Sequence, residues 1–254
     1  MKTEILYGIN SVFEALKAGK RRIYEIYIEE SKTSKRILEV IKFAKSKKIP
    51  VKKIKTLPLN PIARISQHQG ISAKVEPYLT FDLTDIIASE PLNGNRHFFL
   101  LLDNVIDPRN LGAIIRTALG AGVDSIIIPK DRSALPTPAV SKTSAGAIEH
   151  VRLIRVTNMV DTIRFLKQQG LWIVGLDKGA DKTIYASDLT GSIAIVIGGE
   201  EKGIRPLVKK NCDFLVSIPQ KGLLDSLNAS VAAAIAMYEA YRQNKISQTN
   251  KSQR

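Results

Sequence analysis

LLDNVIDPRNLGAIIRTALGAGVDSIIIP, residues Leu101 to Pro129, reads as strand, loop, helix and strand, which is one parallel crossover unit. Its loop carries Asp107-Pro108-Arg109-Asn110, and its helix places Arg116 six residues after Asn110. A buried strand that feeds a polar loop and a helix N-terminus is where open α/β sheets hold ligands. Two later segments follow the same logic. IAIVIGGEEKGIRPLV, Ile193 to Val208, is an apolar strand, a glycine-rich turn and a helix start. FLVSIPQKGLLDSLNASVAAAIAMYEA, Phe214 to Ala240, is a strand, a proline-containing loop and a long helix entered at Ser226.

Around these segments the chain alternates regularly. Strands are expected at Phe98–Leu102, Ser125–Pro129, Val151–Val156, Leu171–Leu176, Ile193–Gly198 and Phe214–Ile218. Helices are expected at Leu111–Ala121, Ala139–Gly146, Val160–Gln169, Arg205–Asn211 and Ser226–Tyr241. Strands this continuously apolar suit a parallel sheet covered on both faces. Ahead of them lies a smaller α/β region of helices and strands. It has a helix in GINSVFEALKAGK, capped near Asn10 or Ser11 and ended by Gly19, a strand in RRIYEIYIEE and a helix through SKTSKRILEVIKFAKSKKI. VKKIK and ISAKVEP supply two short strands. The organisation predicted is residues 1–78 as one domain, 79–97 as a linker with a short helix at Leu83–Ala88 and an Asn-Gly turn near its close, 98–242 as a second domain, and 243–254 as a polar, disordered tail.

The 254 residues carry a formal net charge of +14, and the excess is uneven. Residues 1–80 hold 17 Lys/Arg against 7 Asp/Glu, a net of +10, whereas the remaining 174 residues net only +4. A polyanion partner, most commonly nucleic acid, suits that pattern; so does a lysine-rich surface tuned for solubility. No apolar run approaches the ~20 residues of a membrane span, and MKTEILYGIN lacks the apolar core of a secretory signal. No membrane partner and a cytoplasmic location are therefore expected. Cys212 is the only cysteine, which excludes an intramolecular disulfide and a cysteine metal cluster. His68, His97 and His150 have no carboxylates at metal-ligand spacing, so no metal is expected. Cys212 reads as packing, which fits direct group transfer without a covalent enzyme intermediate.

GGEEKG, Gly198 to Gly203, is neither the dinucleotide fingerprint nor a P-loop. It is either a tight turn before a proline-started helix or a site where Gly198 and Gly199 let backbone approach a ligand without phosphates. Ser226 is expected to cap its helix, and Asn228, which both donates and accepts, to orient a polar group. Asn110 is expected to cap the helix that carries Arg116 and to fix Arg116 or Glu200. Arg116, read as lying on the apolar face with Ile114 and Ile115, needs an anionic partner. That partner is an RNA phosphate in the functional reading and Glu200 in the structural one.

DPRNLGAIIRTA, IGGEEKG with Arg205-Pro206, and IPQKG followed by SLNASVA resemble, in this order, the three signature motifs of the SpoU (TrmH-like) RNA ribose 2′-O-methyltransferases. YGINSVFEALKAG, Tyr7 to Gly19, resembles the start of the RNA-binding domain many members carry, and KDRSALPTPAVSKTSAGAIEHVRLIRVTN resembles the enzymes acting on guanosine in bacterial 23S ribosomal RNA. The resemblance implies an α/β protein with a carboxy-terminal trefoil-knotted (SPOUT) parallel-sheet methyltransferase domain and a smaller amino-terminal ribosomal-protein-like RNA-binding domain. It implies S-adenosyl-L-methionine as cofactor, RNA (23S ribosomal RNA, not DNA) as partner, and a homodimer through the carboxy-terminal domain. Cofactor contacts are implied for Leu176, Gly198, Gly199, Glu200, Ile218, Pro219, Leu227 and Asn228. Catalytic roles are implied for Arg116, Asn110, Glu200, Ser226 and Asn228. The family casts Arg116 as a general base, while a guanidinium with a pKa above ~12 is chemically better suited to orient or stabilise charge. A transfer RNA or other ribosomal RNA substrate, and a non-catalytic RNA-binding or ribosome-assembly role, remain the alternatives.

Overall fold

The computed structural model describes residues 2–59, 68–89, 91, 96–221 and 226–252, with side chains as far as Ile246. In chain order its elements are β1 (Glu4–Tyr7), α1 (Ile9–Ala18), β2 (Ile23–Glu29), α2 (Lys35–Ser46), β3 (Val51–Ile54), β4 (Ile71–Val75), α3 (Leu83–Ala88), β5 (Phe98–Asp103), α4 (Pro108–Ala121), β6 (Ser125–Pro129), α5 (Pro138–Thr143), β7 (Arg152–Val156), α6 (Met159–Gln168), β8 (Trp172–Leu176), β9 (Ile193–Gly198), α7 (Pro206–Asn211), β10 (Phe214–Val216) and α8 (Ala229–Ser252). They form two compact units. One comprises Met1–Leu79 and Leu135–His150, the other Thr80–Ala134 and Val151–Arg254.

The first unit is a four-stranded sheet in the order β1-β4-β2-β3, antiparallel except for the β2–β3 pair. Helices α1 and α2 cover one face with Val12, Leu16, Ile37 and Val40, which meet Leu6, Ile26, Ile28, Ile71 and Val75. Each such side chain, when fully buried, contributes about 1.5–3 kcal/mol. Helix α1 begins one residue before the expected caps. Gly8, at φ 91°, is its N-cap without a side-chain bond, and Gln69 Oε1 accepts from the Ile9 amide at 3.1 Å. A side chain from a distant loop does what Asn10 or Ser11 was expected to do, and Ser11 is buried. Gly19 ends the helix in the left-handed conformation, as expected. Strand β1 has no counterpart in the sequence reading.

Residues 135–150 belong to this unit although they lie in sequence between β6 and β7. Their anchor is Arg21, 7% exposed, whose Nε donates to Glu149 Oε2 at 3.1 Å while Nη2 pairs with Glu149 Oε1. Nη1 lies 3.5 Å from Glu4 and donates to the Glu76 carbonyl at 3.2 Å. One guanidinium thus serves a buried carboxylate, Glu149, and a half-buried one, Glu4. Burial pushes the carboxyls of Glu4 and Glu149 up, and Arg21 pulls both back down. At the segment's end, His150 Nε2 sits 2.8 Å from Glu14 Oε2.

The second unit is a fully parallel six-stranded sheet in the order β10-β8-β9-β5-β6-β7. Alternation along β5 divides the core. Phe99 and Leu101 join Ile127, Ile154, Ile173 and Val196 in a cluster with Ile163 and Leu166 of α6 and Val208 of α7. Helices α4 and α8 pack against each other, and α8 packs on β9. Ala233, Ala236 and Ala240 of α8 are fully buried there, small enough for close helix contact. Helix α8 starts at Ala229 rather than Ser226 and runs to Ser252, so the expected disordered tail continues a helix. The first tail residues are tied down: Gln243 accepts from the Leu189 amide at 2.8 Å, and Asn244 donates to the Leu189 carbonyl at 3.1 Å. The linker helix is at Leu83–Ala88 as expected, while the Asn-Gly turn lies outside the described residues. Among the described residues no helix is long and apolar enough to cross a membrane.

Breaking the Arg21 pair tests this anchor. Arg21→Met strands the buried Glu149 carboxylate and should cost about 3–5 kcal/mol in urea unfolding, whereas Arg21→Met with Glu149→Leu should recover much of it. Equal losses in the two variants would show that Glu149 is not the charge Arg21 serves.

Candidate active site

Four neighbouring strands, β10, β8, β9 and β5, send their carboxyl-end loops to the same edge of the sheet, the usual place for ligands in open α/β sheets. The loop after β9 is shaped by Asp103, the last residue of β5 and 0% exposed. A buried carboxylate has to be paired. Asp103 Oδ2 accepts from the Arg205 amide at 2.8 Å, and Oδ1 accepts from Arg205 Nε at 2.8 Å and lies 2.6 Å from Nη2. That grip folds residues 198–205 back on themselves. Gly199 N donates to the Asp103 carbonyl at 2.8 Å and Gly203 N to the Gly199 carbonyl at 3.0 Å.

The close approach that makes glycine obligatory here is the chain's own. A Cβ on Gly198 would lie 2.0 Å from the Gly203 carbonyl carbon, and one on Gly199 would lie 2.2 Å from the Asn104 oxygen. Of the two readings of these glycines the tight turn is the one the packing requires, and both also line the cavity.

The cavity beside this loop is about 300 Å³, the lower end of the range for small-molecule sites. Leu176, Gly198, Gly199, Glu200, Ile218, Ser226 and Leu227 line it, as the sequence motifs led us to expect. Pro219 and Asn228, also expected as cofactor contacts, are exposed and do not line it. Gly222 of the IPQKG motif lies outside the described residues. Asp177, Lys178, Glu201, Lys202, Gln220, Ala229 and Ala232 line it too and were missed. Asp177 and Lys178 had a usable signal, since they directly follow a predicted strand of a parallel sheet.

One hydrogen-bond chain joins the three motifs. Asn228 Oδ1 accepts from the Ser230 amide at 2.9 Å and from Ser230 Oγ at 2.6 Å. Its Nδ2 donates to Asn110 Oδ1 at 3.1 Å, and Asn110 Nδ2 donates to Glu200 Oε1. Both amides are thereby oriented by a terminal carboxylate. Two cap expectations change. Asp107 caps α4, accepting from the Arg109 amide at 2.8 Å with Pro108 in the first turn, so Asn110 is left to bridge the site. Asn228, not Ser226, accepts the amide bond at the start of α8.

Arg116 is exposed, and it neither lines the cavity nor pairs with Glu200. Its neighbours on the helix surface are Ala113, Leu119 and Gly120, three and four residues away, rather than the adjacent Ile114 and Ile115, which are fully buried. The structural partner, Glu200, therefore falls away, and exposure leaves Arg116 open to an anion from outside the chain. No group of three His, Cys, Asp or Glu arranged for a metal occurs among the described residues. Cys212 packs against Gly175, and burial pushes its thiol up to about 12, which makes it a poor nucleophile.

Residues 97–238 match the SpoU rRNA Methylase family, and residues 5–81 match the family for RNA 2'-O ribose methyltransferase substrate binding. The chain belongs to the SpoU methylase family. Over 244 residues, 95% of this chain and 99% of the relative, it is 42% identical to the 23S rRNA (guanosine-2'-O-)-methyltransferase RlmB of Escherichia coli (strain K12). It is 40% identical over 239 residues to YacO of Bacillus subtilis (strain 168), a putative TrmH family tRNA/rRNA methyltransferase, covering 94% and 95% of the two chains. The fold is similar to that of the SpoU methyltransferase AviRb from Streptomyces viridochromogenes in complex with AdoMet, with a TM-score of 0.77, 24% identity and coverage of 96% and 90%. Within this SpoU site the folded-back loop is testable. Gly198→Ala should cost about 1–3 kcal/mol in chemical denaturation, because backbone has to move aside. An unchanged unfolding midpoint would mean that the loop does not fold back on Gly198.

Proposed function

We propose that this chain is an S-adenosylmethionine-dependent methyltransferase acting on a ribose 2′-hydroxyl, that of a guanosine in 23S ribosomal RNA. The observation that carries the proposal is the Asn228–Asn110–Glu200 chain at the rim of the cavity, which brings residues of all three SpoU motifs together. The nearly full-length relationship to RlmB supports the substrate. The hydroxyl requires RNA, since DNA lacks it. The family's trefoil knot is part of this reading, supported by the insertion of β9 between β5 and β8.

The cavity suits this cofactor. Leu176, Ile197, Ile218 and Leu227 offer apolar contact for adenine, and Asp177, Glu200 and Glu201 with Lys178 and Lys202 offer both signs of charge to a zwitterionic tail. There is no P-loop, and the molecule has no phosphate to need one. Bound there, S-adenosylmethionine supplies an electrophilic methyl group. Glu200 fixes the orientation of Asn110, and Asn110 that of Asn228, so the polar rim is set before a ribose arrives. Ser226 is an exposed hydroxyl at the same rim.

Arg116 enters this reading through assembly. On the second unit, Leu119 of α4 and Val231, Tyr238 and Tyr241 of α8 are exposed apolar side chains, and Leu119 lies one turn from Arg116. A homodimer that buried such a surface would carry Arg116 into an interface, where its planar fork can hold an RNA phosphate or the reacting ribose.

Methyl transfer from labelled S-adenosylmethionine to transcribed 23S ribosomal RNA, followed by mapping of 2′-O-methyl positions, tests the activity. Cofactor binding without transfer to any RNA would favour a non-catalytic role, and transfer to transfer RNA alone would move the substrate. Arg116→Ala should leave folding and cofactor affinity intact and abolish turnover, with little rescue by lysine. A near-normal single-turnover rate in Arg116→Ala would remove this residue from the mechanism. Tyr238→Glu should yield monomers in light scattering, and a persistent dimer would place the interface elsewhere.

A further inference from the structure

The first unit carries its positive charge in one place. From Val40 to Val75 the sequence has nine Lys or Arg and no Asp or Glu. The structure gathers seven of the lysines along the carboxyl end of α2, the turn after it, and β3 at the sheet edge. Two of these are engaged. Lys47 Nζ donates to the Leu16 carbonyl at 2.7 Å and lies 5.2 Å from the Phe43 ring centre, and Lys52 pairs with Glu25 at 2.5 Å. Lys42, Lys45, Lys48, Lys53 and Lys55 are exposed and have no acidic partner among the described residues.

Ordinary structural reasons explain part of this. Lysines at a helix C-terminus offset its dipole. Lysines on an edge strand discourage pairing with other chains. Neither reason accounts for Lys48. Helix α2 ends in a Schellman motif, with Ile49 N donating to the Ala44 carbonyl at 2.9 Å and Lys48 N to the Lys45 carbonyl at 3.0 Å. The motif's left-handed position is occupied by Lys48 at φ 57°. Glycine is the residue that adopts this conformation without strain. A lysine is kept where glycine is more stable, in the middle of a run without carboxylates.

We propose that the α2–β3 corner, Lys45, Lys48, Lys53 and Lys55, is the surface of the first unit that grips the phosphate backbone of RNA. The proposal rests on the RNA reading above and names the part of the chain that performs it. A lipid surface is a poorer match, because the apolar stripe of α2, Ile37, Val40 and Ala44, is buried in the core and leaves Leu38 as the exposed large apolar side chain of that helix. A surface tuned only for solubility would intersperse both signs. Four lysines on a short corner suit a few consecutive phosphates.

The test compares two triple variants of the full chain. Lys48→Gln, Lys53→Gln and Lys55→Gln remove the corner; Lys2→Gln, Lys32→Gln and Lys35→Gln remove equal charge elsewhere in the unit. Probes are transcribed 23S ribosomal RNA and a single strand of about 20 nucleotides. The corner variant should lower the log–log salt slope by about 2 and weaken binding about 100-fold at about 0.1 M salt, while the control changes far less and cofactor affinity stays the same in both. Equal losses in the two variants would overturn the corner and leave only general charge. Lys48→Gly separates charge from structure. Its melting temperature should hold or rise while RNA binding weakens about fivefold, and parental RNA affinity in that variant would overturn the role of Lys48. A parent whose RNA binding ignores salt sinks the RNA reading itself. A salt-sensitive parent with an unaffected corner variant sinks only the placement.

Discussion

The site depends on one buried charge. Asp103 stands at the end of a central parallel strand with no exposed surface, and a carboxylate there is tolerable only if it is paired and hydrogen-bonded. Arg205 provides both, through its side chain and its own backbone amide. Meeting that requirement brings the chain back to the strand end seven residues after β9 leaves the sheet. It also presses Gly198 against Gly203 and aims Glu200 across the mouth of the cavity. Glycine appears at 198 and 199 because the backbone has no room for anything larger.

With Glu200 held, the rest of the rim is determined by donor and acceptor arithmetic. A carboxylate only accepts, so the Asn110 amide that meets it presents its NH2, leaving its oxygen to accept from Asn228. Asn228 in turn turns its oxygen toward the amide and the hydroxyl of Ser230. Residues separated by 90 and 118 positions thus become one oriented unit. Because the separations are large, the order of the rim depends on the sheet and both helices being in place, and a change to any of the four groups propagates to the others.

Most of the sheet was legible in the sequence because its signals are strong and local. Six apolar strands with helices between them admit few arrangements, and all six are found within a residue or two of expectation. The missed features share a cause: each is decided by a group far away in the chain. Helix α1 is capped by Gln69, and residues 135–150 are claimed by Arg21 through Glu149. The tail continues α8 because Gln243 and Asn244 bond to residues 187–189. Asn110 was read as a cap because its residue type favours caps, yet Asp107 three residues earlier has the same chemistry and the proline after it. Arg116 was misplaced for a different reason. Residues adjacent in sequence are turned by about 100° from one another on a helix, so Arg116 does not share the buried face of Ile114 and Ile115.

Asn110 and Arg116 lie about 9 Å apart along the axis of α4 and about 240° around it. Within one chain the two therefore project from different faces of α4, a continuous helix packed against α8. If both residues serve the same transfer, the second participant has to come from outside the chain, as RNA wrapping over the helix or as another copy supplying its own Arg116. The exposed aliphatic Leu119 and Val231 favour the second, because an RNA surface sets charge and aromatic rings against phosphates and bases rather than aliphatic side chains. Assembly in that reading completes the reaction centre, so activity and the oligomeric state should rise and fall together as protein is diluted.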